Sequence, residues 1–172
     1  MVDIVFDVDG TLMNIEHRVK YARRTIPHPD VPIYLHEIKP SAYRIPNPDY
    51  DYDKFESEIV NDTPNIEIFV IAHALKEQGH TIIIASGRKI KQAGVTLKML
   101  DEYYVWGDSF WDTYYFRKDD DNRKDSIVKY EMYKQMLKDR YDPKLVFDDR
   151  QQVVDMWRDK GIRVCQVAEG NF

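Results

Sequence analysis

Two aspartates, Asp7 and Asp9, open the run Asp7-Val8-Asp9-Gly10-Thr11-Leu12, which follows directly on the apolar Ile4 to Phe6. One carboxylate at such a site can attack an electrophile while the other moves a proton, and a hard cation can be shared between them. A glycine then lets the chain turn. A D-x-D-G run can also begin a calcium loop, but that pattern needs further oxygen ligands and a later glutamate, and Met13, Asn14 and Ile15 do not continue it. Ser86-Gly87-Arg88, after Ile82 to Ala85, offers a hydroxyl, a free amide and a guanidinium suited to phosphate oxygens. Asp148-Asp149-Arg150, after Leu145 to Phe147, carries a carboxylate pair for a cation. Lys129 adds a compact positive charge, with Asp125 one helical turn before it. Each group alone has a plain structural reading: a helix cap for one aspartate, surface ion pairs for Arg88 and Arg150, a helical pair for Asp125 and Lys129.

The elements that must position these groups alternate along the chain. Strands are expected at Ile4 to Phe6, Thr81 to Ala85, Thr113 to Phe116, Lys144 to Phe147 and Arg163 to Gln166. Helices are expected at Asn65 to Gln78, Lys91 to Tyr103, Asp125 to Asp139 and Gln151 to Lys160, the first and last ending at Gly79 and Gly161. That alternation predicts a single α/β domain over 1–172 with a mostly parallel five-stranded sheet flanked by helices. The groups around Asp7, Ser86 and Asp148 then fall at strand carboxyl ends, where such sheets bind ligands. Residues 14–63 break the rhythm with Pro27, Pro29, Pro32, Pro40, Pro46 and Pro48 and with Tyr34, Tyr43, Tyr50 and Tyr52. They read as an insertion or small cap after the first strand, with a short helix over His17 to Arg24 and a lid as one use for it.

The net charge of −5 argues against coating of nucleic acid by charge alone, without excluding a local phosphate site. No apolar run approaches the roughly 18 residues of a membrane span, so no membrane partner is expected. Nothing at the N-terminus resembles a signal peptide, and a cytoplasmic setting is expected, the host cytoplasm if the source is a phage. Cys165 is the one cysteine and has no histidine at ligand spacing, so zinc is unsupported. The five histidines show no triad or metal spacing and read as structural, and Asp119 to Asp121 reads as a solvated turn. Aromatics from Tyr103 through Tyr104, Trp106, Phe110, Trp111, Tyr114 and Tyr115 to Phe116 can stack on bases, but core and interface packing is the favoured reading. They permit a homodimer without requiring one.

The ordered groups resemble the four motifs of the haloacid dehalogenase phosphatase superfamily along nearly the whole chain, which implies its Rossmann-like fold. Within it the second half is similar to the 3′-phosphatase domains of T-even phage polynucleotide kinase/phosphatases. The likeness lies in Arg123-Lys124-Asp125, Val128-Lys129, Asp148-Asp149-Arg150, Gln152-Val153-Val154, Met156-Trp157-Arg158 and Gln166-Val167-Ala168, with Gly170 and Phe172. The resemblance implies that Asp7 attacks phosphorus to form an aspartyl-phosphate, that Asp9 protonates the leaving oxygen and then activates water, and that Mg2+ is held by Asp7, the Asp9 carbonyl, Asp148 and Asp149. It implies phosphate binding by Thr11, Ser86, Gly87, Arg88 and Lys129, a supporting place for Asp125, and a substrate contact for Arg18. The implied activity is removal of 3′-phosphates from polynucleotide ends in nucleic-acid repair. A nucleoside monophosphate phosphatase, with the insertion closing over one base and sugar, is the alternative; a non-catalytic end-binding module is disfavoured by the intact acidic groups. No G-x-x-x-x-G-K-[ST] loop occurs in the chain, so any kinase activity is expected from elsewhere.

Overall fold

The computed structural model describes residues 1–103 and 109–170, so Tyr104, Trp106 and Phe172 of the sequence reading lie outside the described residues. The chain divides into two compact units, one made of Met1–Asn14 with residues from Asp62 onward, the other of Ile15–Asn61.

The first unit is built on five strands: β1 Asp3–Phe6, β2 Thr81–Lys89, β3 Thr113–Arg117, β4 Pro143–Asp148 and β5 Arg163–Gln166. They form one sheet in the order β3-β2-β1-β4-β5 with every pairing parallel. β1 sits at the centre, with Val5 opposite Ile83 on one side and Val146 on the other. Its neighbours are continuous apolar runs because a central parallel strand is covered on both faces. Helices α1 Ile66–Glu77, α2 Ala93–Glu102, α3 Asp125–Lys138 and α4 Gln151–Asp159 supply that cover.

On one face Val5, Ile83, Ala85 and Val146 pack with Val128, Met132 and Met136 of α3 and Val153 and Trp157 of α4. Side chains alternate along a strand, so Ile4, Phe6, Ile82 and Ile84 are directed to the other face. Phe6 stacks there on Phe147 at 4.5 Å between ring centroids. Phe110 is buried and meets Phe69 of α1 edge to face, as the packing reading of the aromatic segment expects. α1 and α4 each close on a glycine with the paired bonds of a Schellman motif: Gly79 N–H to Lys76 O and His80 N–H to Leu75 O, then Gly161 N–H to Arg158 O and Ile162 N–H to Trp157 O. α3 ends in the same way on Arg140, whose φ of 70° is a conformation that side chains resist.

Where the first unit gives way to the second, Met13–Asn14 pairs antiparallel with Thr63–Pro64. The second unit contains helices Glu16–Ala22, Ile33–Ile38 and Tyr52–Ser57, a 3-10 turn Glu58–Asn61, and a hairpin of Thr25–Pro27 with Arg44–Pro46. Its prolines keep the helices short. Asn47 organises its interior, the side-chain amide donating to the carbonyls of Lys20 and Arg23, both at 2.7 Å. Among the described residues no helix is long and apolar enough to cross a membrane.

Candidate active site

Asp7 stands one residue beyond β1, still tied to β4 by its N–H donating to Phe147 O at 3.0 Å. The turn that follows is closed by Gly10 N–H to Met13 O and Met13 N–H to Val8 O, both 2.8 Å, with Gly10 at φ 82°. Val8 is buried in the core, Asp7 is buried beside it, and Asp9 is partly exposed. Thr11 is fully buried; its carbonyl accepts from Asn65 and its hydroxyl has no partner.

Strand β4 delivers Asp148 and Asp149, and helix α3 delivers Lys129. One oxygen from each of Asp7, Asp148 and Asp149 lies within 4.8 Å of the others. Lys129 is buried and donates from Nζ to Asp7 Oδ1 at 2.5 Å and to Asp148 Oδ2 at 3.3 Å. Burial opposes its charge, but Asp148, Asp7 and Asp125 overcome this and raise its pKa far above the usual lysine range. The aspartates are pushed upward too. For Asp7 burial is the main cause, partly offset by Lys129 and reinforced by Asp148 and Asp149. Asp148 is raised by burial against the opposing Lys129, and Asp149 is raised to about 7 by burial and by Asp148. Three carboxylates around one ammonium leave excess negative charge in a buried place, and Asp149 Oδ1 is buried without a hydrogen-bond partner. A hard divalent cation with all-oxygen coordination fits that donor set, since it would satisfy the orphaned oxygen and favour the ionised forms.

Asp9 is engaged differently. Its Oδ1 accepts from Arg88 Nε at 2.9 Å and Nη2 at 2.5 Å. Arg88 is buried, and it also donates to Thr96 Oγ1 at 3.0 Å and to Asp62. The guanidinium read in the sequence as a phosphate grip is thus ringed by three protein partners and aligns Asp9. Asp62 and Thr96 escaped the sequence reading, since neither belongs to a motif; the one available signal is that a buried arginine requires an acid.

β2 runs to Lys89, four residues beyond its expected end at Ala85, with its register to β3 broken between Ser86 and Lys89. Such irregularities re-aim side chains beside sites. Ser86 is buried here, and its Oγ accepts the Arg88 N–H at 3.1 Å. A Cβ on Gly87 would lie 2.7 Å from Asp125 Oδ1, so the close packing of this strand on α3 requires glycine. Asp125 is buried and is held by Arg117 Nη2 at 2.9 Å and by Arg150 Nη1 at 3.5 Å. Arg117 also donates to Gly87 O at 2.8 Å, linking the two motifs, and it too was not legible in advance. Arg18 lies in the second unit, fully buried, its guanidinium 4.4 Å above the Phe55 ring and donating to Phe55 O at 3.3 Å.

A five-stranded parallel sheet whose central strand ends in the paired aspartates, with the lysine and the second acidic pair converging from a helix and the adjoining strand, defines a phosphatase of the haloacid dehalogenase class. A haloacid dehalogenase-like family hydrolase of Streptococcus pneumoniae superposes on 95% of this chain and 83% of its own, with a TM-score of 0.58 at 14% identity, a likeness of fold. The model of the polynucleotide kinase PNKP phosphatase domain matches residues 48–172, and the chain belongs to that family. In the structure of a Pnkp1/Rnl/Hen1 complex, one chain is 26% identical with a TM-score of 0.69, over 99% of this chain and 47% of that one. A protein of Autographa californica nuclear polyhedrosis virus, named "Putative bifunctional polynucleotide kinase/RNA ligase", is 28% identical over 109 residues, 63% of this chain and 15% of that protein. The chain therefore spans less than half the length of each of these two relatives.

Proposed function

We propose that this phosphatase removes 3′-phosphates from polynucleotide ends through a covalent phosphoryl-enzyme on Asp7, with Mg2+ as its cofactor. The observation that carries the chemistry is the contrast between two aspartates of one turn: Asp7 is buried against Lys129 and two further carboxylates, while Asp9 is partly exposed and aligned by Arg88. Environments that differ this much assign different tasks to like groups. Asp7 attacks phosphorus, the bond to the leaving oxygen breaks, and Asp9 gives that oxygen its proton. Asp9, now ionised, takes a proton from water as the water attacks phosphorus, the bond from phosphorus to the Asp7 oxygen breaks, and phosphate and the free carboxylate are released. Ser86, the Gly87 amide, Thr11 and Lys129 are proposed to receive the phosphoryl oxygens. Asp7, Asp148, Asp149 and the Asp9 carbonyl would hold a divalent cation, which would supply charge neutralisation for the transferring group.

A polynucleotide end as substrate is supported by the family and by relatives whose names join polynucleotide kinase to RNA ligase or place Pnkp1 with Rnl. On this reading the chain works beside a ligase in end repair, in the cytoplasm. The deciding experiment is phosphate release with Mg2+ from a 3′-phosphorylated oligonucleotide and from 3′- and 5′-mononucleotides, with Asp7→Asn as the blank. Preference for the oligonucleotide is expected; preference for one mononucleotide would make the enzyme a nucleotidase.

A further inference from the structure

Asp149 is enclosed by two glycines from opposite ends of the chain. A Cβ on Gly10 would lie 2.3 Å from Asp149 Oδ2. A Cβ on Gly170 would lie 2.0 Å from the same oxygen, 2.7 Å from Cγ and 3.0 Å from the Asp149 carbonyl carbon. Gly10 has a second reason to be glycine, its positive φ, whereas Gly170 is not among the positive-φ residues. Space alone accounts for it. The segment after β5 is drawn in by two bonds to the Asp149 carbonyl, one from the Gly170 N–H at 3.0 Å and one from Gln166 Nε2 at 3.2 Å. The carboxylate thus confined keeps one oxygen buried and without a partner, beside Asp7 and Asp148.

We propose that Gly170 is a positioning residue for the cation site: its missing side chain leaves the room in which the Asp149 carboxylate stays within reach of Asp7 and Asp148. The proposal rests on the reading of those three aspartates as a cation site. The clash would fall on Oδ2 and Cγ, so a methyl group at 170 forces the carboxylate out of its place; Asp149 is not required to change its charge. Supporting groups behind a metal ligand are typically worth about 10- to 100-fold in metal affinity.

The test is calorimetric titration of the intact chain with magnesium chloride, without substrate, for the parent protein and Gly170→Ala, together with urea unfolding in EDTA for these two, for Asp149→Ala and for the double variant. Gly170→Ala is expected to weaken magnesium binding about tenfold or more. It is also expected to lower the metal-free urea midpoint, by less when Asp149 is already alanine, because the carboxylate is then absent. Parent-level magnesium affinity in Gly170→Ala overturns the proposal and leaves the cation site standing. Absence of magnesium binding by the parent protein overturns both. If Gly170→Ala does not fold, recovery of folding in the double variant supports the carboxylate contact, and failure of the double variant overturns it.

Discussion

Lys129 and Asp7 are 122 residues apart in sequence, yet Nζ lies 2.5 Å from Oδ1 with both side chains buried. The pair joins the helix side of the sheet to the end of its central strand, and the same ammonium reaches Asp148.

Replacing Lys129 by Met therefore removes the ammonium that donates to both Asp7 and Asp148 while keeping the volume. Phosphate release is expected to fall by about 100-fold or more, the scale of losing one preorganised charge stabiliser. Lys129→Arg is expected not to restore it, since a planar fork cannot occupy the place of a compact ammonium. Single-turnover phosphate release from a 3′-phosphorylated oligonucleotide checks both.

Asp62→Asn tests the brace behind Asp9. Arg88 keeps its bonds to Asp9 and Thr96 but loses its second anionic partner, so the Asp9 carboxylate, the proposed acid/base, is held less firmly. A fall in kcat of about 10- to 100-fold with little change in KM is expected from such a misplacement. Steady-state kinetics separate this from weakened substrate binding, which would raise KM.

The pH dependence of stability follows from Asp149, whose carboxyl is raised from 3.8 to about 7 by burial and by Asp148. Its contribution is fully present below the unfolded value of 3.8 and is lost as pH rises through 7, because the native state then holds a proton the unfolded state has released. The metal-free protein is thus expected to lose stability between about pH 4 and pH 7. A magnesium ion held as proposed would favour the ionised carboxylates, so the rise in melting temperature on adding it is expected to be larger at pH 8 than at pH 5. Thermal scans in EDTA and in magnesium at both values decide this; an equal rise would contradict it.

Arg140 offers a test of the fold alone. It occupies the left-handed position that ends α3, where α1 and α4 carry Gly79 and Gly161. Arg140→Gly is expected to stabilise the protein by about 1 kcal/mol, read as a higher urea midpoint with activity unchanged.

The five strands were legible because runs such as Ile82-Ile83-Ile84-Ala85 belong to strands covered on both faces, and the helices because Gly79 and Gly161 mark two of their ends. The acidic cluster was legible because each carboxylate follows such a run. The continuation of β2 through Ser86 to Lys89 was not, since an irregular register leaves no period to read. Nor were Asp62 and Arg117, whose contacts with Arg88 and Asp125 only the closed sheet creates; Gly170 was marked by the family likeness, but its place against Asp149 was not. Arg88 was found by its motif, but its engagement with Asp9 depends on the turn after β1, 79 residues away.

The two-residue ribbon of Met13–Asn14 with Thr63–Pro64 brings the ends of the intervening segment side by side. To the sheet, everything between those ends is then one loop on a closed neck, whatever its length, and lengthening a loop costs little once its ends are fixed. Asn65 adds a clasp on the same neck, its backbone N–H bonded to Leu12 O and its side chain to Thr11 O. A change in the length of that segment is accordingly expected to leave the strands that carry the acidic cluster in register, since the bonds of the neck lie at its ends.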